Sequence, residues 1–317
     1  MPDLLKKVDM SLLHTIADMD SMPTGAFNIR KNGQGIARQS SENITIEPKK
    51  GNPGIDIYIK PFTKGEEVHI PVIITETGIN DKVYNDFYVG EGADVLIVAG
   101  CGIHNCGGEK TEHDGIHRFF IGKNAKVKYV EKHYGEGEGT GERILNPVTE
   151  VTMEEGSYCE MEMIQLAGVD STLRETEAAL DANAKIVITE RLLTHGSQKA
   201  RSNMTVNLNG KNSSAQIVSR SVARDHSEQV FYPRAVGNTE CRAHVQCDSI
   251  IMDKAKIRSI SRTSAETTCT PSANDADAQI VHEAAIGRIN NDQLLKLMTF
   301  GLTEEEAEEV IVSGFLK

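Results

Sequence analysis

Residues 90–98 read GEGADVLIV, residues 122–130 GKNAKVKYV and residues 154–162 EEGSYCEME; DANAKIVIT (181–189), GKNSSAQIV (210–218) and NTECRAHVQ (238–246) follow. Each is a turn rich in Gly, Asn or acid, then a small residue, then a strand. The small residues Ala93, Ala125, Ser157, Ala184, Ala215 and Cys241 stand 32, 32, 27, 31 and 26 positions apart, so one unit repeats about every 30 residues. A repeat made of strands and turns cannot bury its apolar face alone and must stack on its neighbours. With no helical period inside the unit and no blade motif, the sequence predicts an all-β fold, a β-solenoid with a ladder core. Phe and Tyr number 8 and 7 with no Trp, which suits a narrow interior of Val, Ile, Ala and small polar residues.

The pattern changes at both ends. Leu4, Leu5, Val8, Leu12, Ile16 and Met19 recur at helical spacing, so residues 1–25 are expected to hold an amphipathic helix. Residues 26–275 form the expected β-helix core. In residues 276–317 a short helix over Asp292–Phe300 stops at Gly301, and Thr303 with Glu306 three positions on is an N-cap signature. Ala307, Val310, Ile311 and Phe315 continue on one face of the second helix. That face either caps the last coil or docks into a partner.

Composition excludes whole classes. With 34 Lys+Arg against 46 Asp+Glu the net charge is −12, and no basic cluster exists to neutralise phosphates, so nucleic acid is not the expected partner. The longest apolar run, Val95–Cys101, is far short of the ~20 residues of a membrane helix. Charged residues interrupt the N-terminal leucines, which argues against a secretory signal; a cytoplasmic location with six reduced cysteines is expected.

Thiols and imidazoles cluster in three places. Cys101, His104, Cys106, His113, Asp114 and His117 fall within 17 positions, but the Cys spacing is not that of a zinc knuckle, and a strand-end Cys101 packed as a small hydrophobe reads equally well. In CRAHVQC, Cys241 and Cys247 share one strand face and His244 takes the other. His282 and Glu283 are adjacent, and two neighbours on a regular strand cannot face one ligand, so joint action needs a bend. Cys159 and Cys269 have no partner spacing. No Walker loop, nucleophile elbow or HExxH occurs, and GEGEGTGE (135–142) lacks the Lys that a phosphate loop needs, so it reads as a flexible turn.

With these residues in place, the chain resembles the SufB/SufD family of iron–sulfur cluster assembly scaffolds. QCDS (246–249), VHEA (281–284), the I-x-x-D-Q-L of 289–294 and the A-x-x-x-I-V-x-G-F of 307–315 match SufB in order and spacing, and IHRFFIGKNAKVKY (116–129) resembles the first core coils. The resemblance implies a right-handed parallel β-helix and a non-enzymatic scaffold that accepts sulfur and iron and builds a transient [4Fe-4S] or [2Fe-2S] cluster. It implies a SufC-type ABC ATPase as partner, bound by the C-terminal helices through Thr303, Ala307, Val310, Ile311 and Phe315, and a cysteine desulfurase or other sulfur donor. Cys247, His282 and Glu283 fall on the family's cluster residues, with Cys241 a further candidate ligand, and Cys101 on its sulfur acceptor. Shortness points to a homodimer in place of a SufB–SufD pair, with a SufD-like subunit as the alternative partner. The chain departs from the family at the Gln-x-Trp segment near the sulfur path, where EKHYGEG stands instead. Rival readings are a SufD-like supporting subunit and a β-helix lyase or acyltransferase; no sugar-binding aromatic platform or hexapeptide repeat favours the latter.

Overall fold

The computed structural model of the protein describes residues 5–260, 262–265 and 278–317. Leu4, at the head of the N-terminal stripe, and Cys269 lie outside the described residues.

Helix α1 (Lys7–Ala17) is followed by β1 (Ala26–Lys31), β2 (Gln34–Gln39), β3 (Ile44–Pro48), β4 (Gly54–Ile59), β5 (Lys64–Ile74) and β6 (Asn80–Val89). The middle of the chain forms β7 (Asp94–His104), β8 (Thr111–Ile121), β9 (Lys126–Glu136), β10 (Arg143–Leu145), β11 (Val148–Met153), β12 (Tyr158–Ala167) and β13 (Ser171–Leu180). Then come β14 (Lys185–Thr194), β15 (Lys199–Leu208), β16 (Ser213–Ala223), β17 (Glu228–Gly237), β18 (Cys241–Ile251), β19 (Lys256–Ser259) and β20 (Arg262–Ala265). β21 (Ala278–Gly287), α2 (Asn291–Thr299) and α3 (Glu304–Phe315) end the chain.

Successive strands alternate between two facing walls, making a β-solenoid of about seven turns. The first wall stacks β5-β7-β9-β12-β14-β16-β18-β21 and the second β4-β6-β8-β13-β15-β17, with β10 and β11 together filling one rung between β8 and β13. All these pairs are parallel and mostly in strict register. Antiparallel strands β2 and β3 close the two walls at the N-terminal end. At the other end the wall continues through β21 to Gly287, beyond residue 275.

The repeat in the sequence is a turn in the structure. Gly92, Asn124, Gly156, Asn183 and Asn212 all adopt positive φ, between 56° and 70°, immediately before the buried small residue that opens each strand. Gly and Asn tolerate that conformation cheaply, as Asp does at 225 and 253, which is why such residues recur at the turns. The register also moves one marker: Lys185, just after Ala184, pairs with Ser214, and Ser213 with Cys241, so Ser213 and not Ala215 occupies the row. The residue after Asn212 was the better reading.

The core is one ladder of Ile, Val, Ala and Met between the walls, with Phe87 and Phe119 stacked 4.4 Å apart and Tyr129 against them. Helix α1 lies outside the first wall, burying Leu12, Leu13 and Ile16. It can approach because Gly100 and Gly102 face it: a Cβ on Gly100 would stand 2.4 Å from the Ile16 carbonyl oxygen. Among the described residues no helix is long and apolar enough to cross a membrane.

At the C-terminus Thr303 and Glu306 form the expected capping box. Val312, Phe315 and Leu316 pack with Val222, Ile250 and Met252 on the outside of the first wall, and Glu309 pairs with Arg224 at 2.6 Å. The helix therefore lies along the flank of the solenoid. Phe300, Leu295 and Val310 stay exposed on the helical pair, as do Val281 and Ile286 on β21. The glycine run 135–142 is not a flexible turn. Gly137, Gly139 and Gly141 sit directly on the backbone of 105–109, where any Cβ would meet main-chain atoms at 2.3 Å or less.

Candidate functional site

Alternation along each strand decides which side chains enter the solenoid. On β9, Val127, Tyr129, Glu131 and His133 all point inward; on β13, Thr172, Arg174, Thr176 and Ala178 do. Register then aligns two inward rows of the first wall. One runs Cys101, His133, Gln165, Leu192, Ser221, Ser249; the other, one step along each strand, runs Ala99, Glu131, Met163, Glu190, Ser219, Cys247. Cys101 and Cys247 thus face the same interior five strands apart, about 24 Å at ~4.8 Å per strand.

A line of buried polar groups fills the gap. Arg174 donates to Glu131 Oε2 at 2.5 Å and to the Met163 sulfur at 3.2 Å, and its Nε lies 3.7 Å from Glu190 Oε1. Ser219 donates to Glu190 Oε2 at 3.1 Å and is the register neighbour of Cys247. At the other end His133 Nε2 is 3.5 Å from Glu131 Oε1, and His133 is the register neighbour of Cys101. Tyr129 donates to Glu131 Oε1 at 3.0 Å and stands 2.6 Å from His117 Nδ1. Two cavities of about 10 Å³ interrupt the packing, each room for one water-sized particle. One is lined by Cys101, His113, His117, Glu131 and His133, the other by Met163, Arg174, Glu190 and Ser202.

Electrostatics follow from burial. Burial alone would raise the Glu131 carboxyl, but Arg174 and His133 overcome it and hold that carboxyl well below the usual range. The His117 imidazole is pushed down to about 4 by burial, against the pull of Glu131. His133 is lowered for the same reasons. Burial pushes the Cys101 thiol well above its ordinary value and raises that of Cys247 as well. At rest both are protonated thiols in a closed interior.

The sequence candidates are distributed as follows. Cys241 and Cys247 both point inward from β18, but they are about 20 Å apart along the strand and cannot hold one ion together. Cys247 lies 3.7 Å from Ser249 Oγ. β21 runs unbroken through His282 and Glu283, so the expected bend is absent and the two side chains diverge. His282, beside Val245, faces the interior with Cys247, the two Cα atoms about 8 Å apart from ~4.8 Å between strands and ~6.6 Å along them. Its Nε2 is buried and has no hydrogen-bond partner among the described residues. Glu283, beside Gln246, faces out and lies 3.6 Å from His244 Nε2. Among the described residues no three His, Cys, Asp or Glu are grouped to hold a metal ion within the chain. Of the first cluster, His113 faces inward to Asp81 at 3.1 Å and Asp114 outward to Asn146. Glycines 100 and 102 admit α1 on the outer face and do not expose the Cys101 thiol, which is 3% exposed. Of the proposed docking face, Ala307 is buried, Ile311 and Phe315 half-buried, and Thr303 and Val310 exposed.

Glu131, Arg174 and Glu190 were missed in the sequence. Singly, each is a charge at an inward strand position, Arg174 and Glu190 among apolar or small neighbours and Glu131 beside Tyr129 and His133, but nothing local shows that the three meet.

Comparison with known proteins agrees with this architecture. Residues 87–315 match the model of the SUF system FeS cluster assembly SufBD core domain. A Methanocaldococcus jannaschii protein described as an iron-sulfur cluster assembly SufBD family protein is 30% identical over 293 residues, 91% of this chain and 89% of that one. SufBD family proteins of Archaeoglobus fulgidus and Methanothermobacter thermautotrophicus are 26% and 24% identical. They match 80% and 77% of this chain, which spans 66% and 57% of their lengths. The chain belongs to the SufBD family of iron–sulfur cluster assembly proteins.

Proposed function

We propose that the protein is a scaffold on which sulfur and iron are combined into a transient cluster, in complex with a SufC-type ABC ATPase that supplies the nucleotide hydrolysis. The observation that carries the reading is the polar line between Cys101 and Cys247. A solenoid core needs no charge, and an apolar ladder in place of Glu131, Arg174 and Glu190 would avoid the desolvation cost that their mutual pairing has to offset. Sulfane sulfur is carried as an anionic or hydrogen-bonding group, and a line of Arg, His and Ser donors can accommodate it where an apolar ladder cannot.

Cys247 and His282 supply a thiolate and an imidazole facing one space, a donor pair that suits iron. Glu283, on the outer face beside His244, is an exchangeable ligand presented to a second copy of the chain, so a cluster shared by two copies would use both faces of β21. A thiol made acidic only on metal binding keeps the empty scaffold protonated. The exposed Leu295 on α2, Phe300 just after it and Val310 on α3 provide an apolar surface for the ATPase. The reading places the protein in the cytoplasm, with the cluster as cargo and not as a resident cofactor.

The test is co-expression with a SufC-type ATPase. The expected result is co-purification, stimulated ATP hydrolysis and, after anaerobic addition of iron and sulfide, an iron–sulfur absorption band on this chain. ATP turnover by the chain alone, or no cluster in the complex, would overturn it.

A further inference from the structure

Just beyond the end of β7 a thiol is set up for attack. Cys106 is exposed, and its Sγ lies 3.0 Å from His104 Nε2. His104 Nδ1 lies 2.9 Å from Glu136 Oε1, and Tyr134 donates to the other carboxylate oxygen at 3.3 Å. An ionised carboxylate only accepts, so Nδ1 carries the ring proton and Nε2 is left with its lone pair toward the thiol. This is nucleophile, base and orienting carboxylate in series.

The pair is not needed to hold the turn. Asn105 does that, donating to the carbonyls of Glu109 and Gly141 and accepting from the Gly107 amide. The glycine run 137–141 clamps the same segment from the next coil. The turn therefore presents Cys106 from a fixed backbone. Cys101, by contrast, is buried with its thiol pushed well above the ordinary value, closed to a donor protein.

We propose that the Cys106–His104–Glu136 triad is a surface sulfurtransfer site that takes the terminal sulfur of a persulfide carried by a donor. The inference rests on the reading that this chain receives sulfur. His104 Nε2 removes the Cys106 proton, and the thiolate attacks the terminal sulfur of R–S–SH. A new S–S bond forms on Cys106 as the donor S–S bond breaks, and His104 returns the proton to the leaving thiolate. The products are a Cys106 persulfide and the thiol R–SH, with no net oxidation. Cys106 is about 16 Å or less along the chain from Cys101 at ~3.3 Å per residue, so onward passage to the interior is a separate step.

The test uses the full chain, glutathione persulfide as probe, and mass spectrometry to locate the added sulfur. Cys106 should load first, ahead of Cys101. His104→Ala should slow loading at least ~10-fold, with added imidazole restoring it, and Glu136→Gln should slow it less. Imidazole rescue is a readout that a purely structural histidine would not give. Cys101 loading at full rate in Cys106→Ser, or an unchanged rate in His104→Ala, would overturn the assignment. Failure of glutathione persulfide to load Cys106 in a chain that still builds a cluster from free sulfide would sink this inference and spare the scaffold; loading without any cluster would do the reverse.

Discussion

Replacing Arg174 with Met removes the one cation between two buried carboxylates. In the parent, Arg174 touches Glu131 at 2.5 Å and stands 3.7 Å from Glu190, with all three side chains at most 6% exposed. Glu190 keeps the Ser219 hydroxyl, so the loss falls mainly on Glu131. Removing one partner of a buried pair costs about 3–5 kcal/mol. The pH dependence follows from the sign of the carboxyl's shift. In the parent, Glu131 is held low, so its contribution is present at neutral pH and is lost as pH falls through that low value. In Arg174→Met, burial is the dominant remaining influence and raises the carboxyl, so its cost is present at neutral pH and disappears as pH falls below the raised value. The deficit should be largest at pH 7 and shrink toward pH 5. Denaturant midpoints for parent, Arg174→Met, Glu131→Gln and the double variant measure it, and the double variant should recover about 2 kcal/mol relative to additivity. A deficit below about 1 kcal/mol, or strict additivity, would refute the buried ion line.

Two further outcomes follow from the geometry. His117, at about 4 in the fold against an ordinary 6.5, leaves the unfolded chain binding the proton first, so stability should fall as pH drops from 6.5 toward 4, by about 2 kcal/mol at pH 5. Comparing parent and His117→Gln across that window checks it: the variant should lose that part of the slope, and equal slopes would contradict it. Gly100→Val should push α1 off the first wall, because its Cβ meets Ile16; amide exchange over residues 7–17 should rise and stability fall by about 1–3 kcal/mol, and unchanged protection of α1 would count against the packing.

The solenoid was legible because five successive coils turn through positive φ at the same place, before Ala93, Ala125, Ser157, Ala184 and Ser213, and Gly and Asn supply it cheaply there. The sequence thus displays the period directly, even where Ala215 was mistaken for Ser213. The inward thiols of CRAHVQC were legible for the same reason, strand alternation. Arg174, Glu131 and Glu190 were not, because they lie 43 and 16 residues from one another in the chain and meet only when two walls face each other. The Cys106 triad was hidden differently. His104 and Cys106 are near in sequence, but Glu136 joins them through the register of β7 on β9, which no local motif records. The placement of α3 on the flank depended on apolar residues on the outside of strands, such as Val222 and Ile250, where alternation alone reads them as exposed.

The central claim is that the interior end of the polar line, at Cys247, is where the cluster is built. The direct measurement is iron and acid-labile sulfide bound after anaerobic reconstitution of the ATPase complex, in the parent, Cys247→Ser and Cys241→Ser. Both thiols point inward from the same strand and both serines fit, so folding and burial are matched between them. Cys247→Ser should lose most of the bound iron and sulfide while Cys241→Ser keeps the parent content. Parent-level content in Cys247→Ser would contradict the account, whatever Cys241→Ser shows.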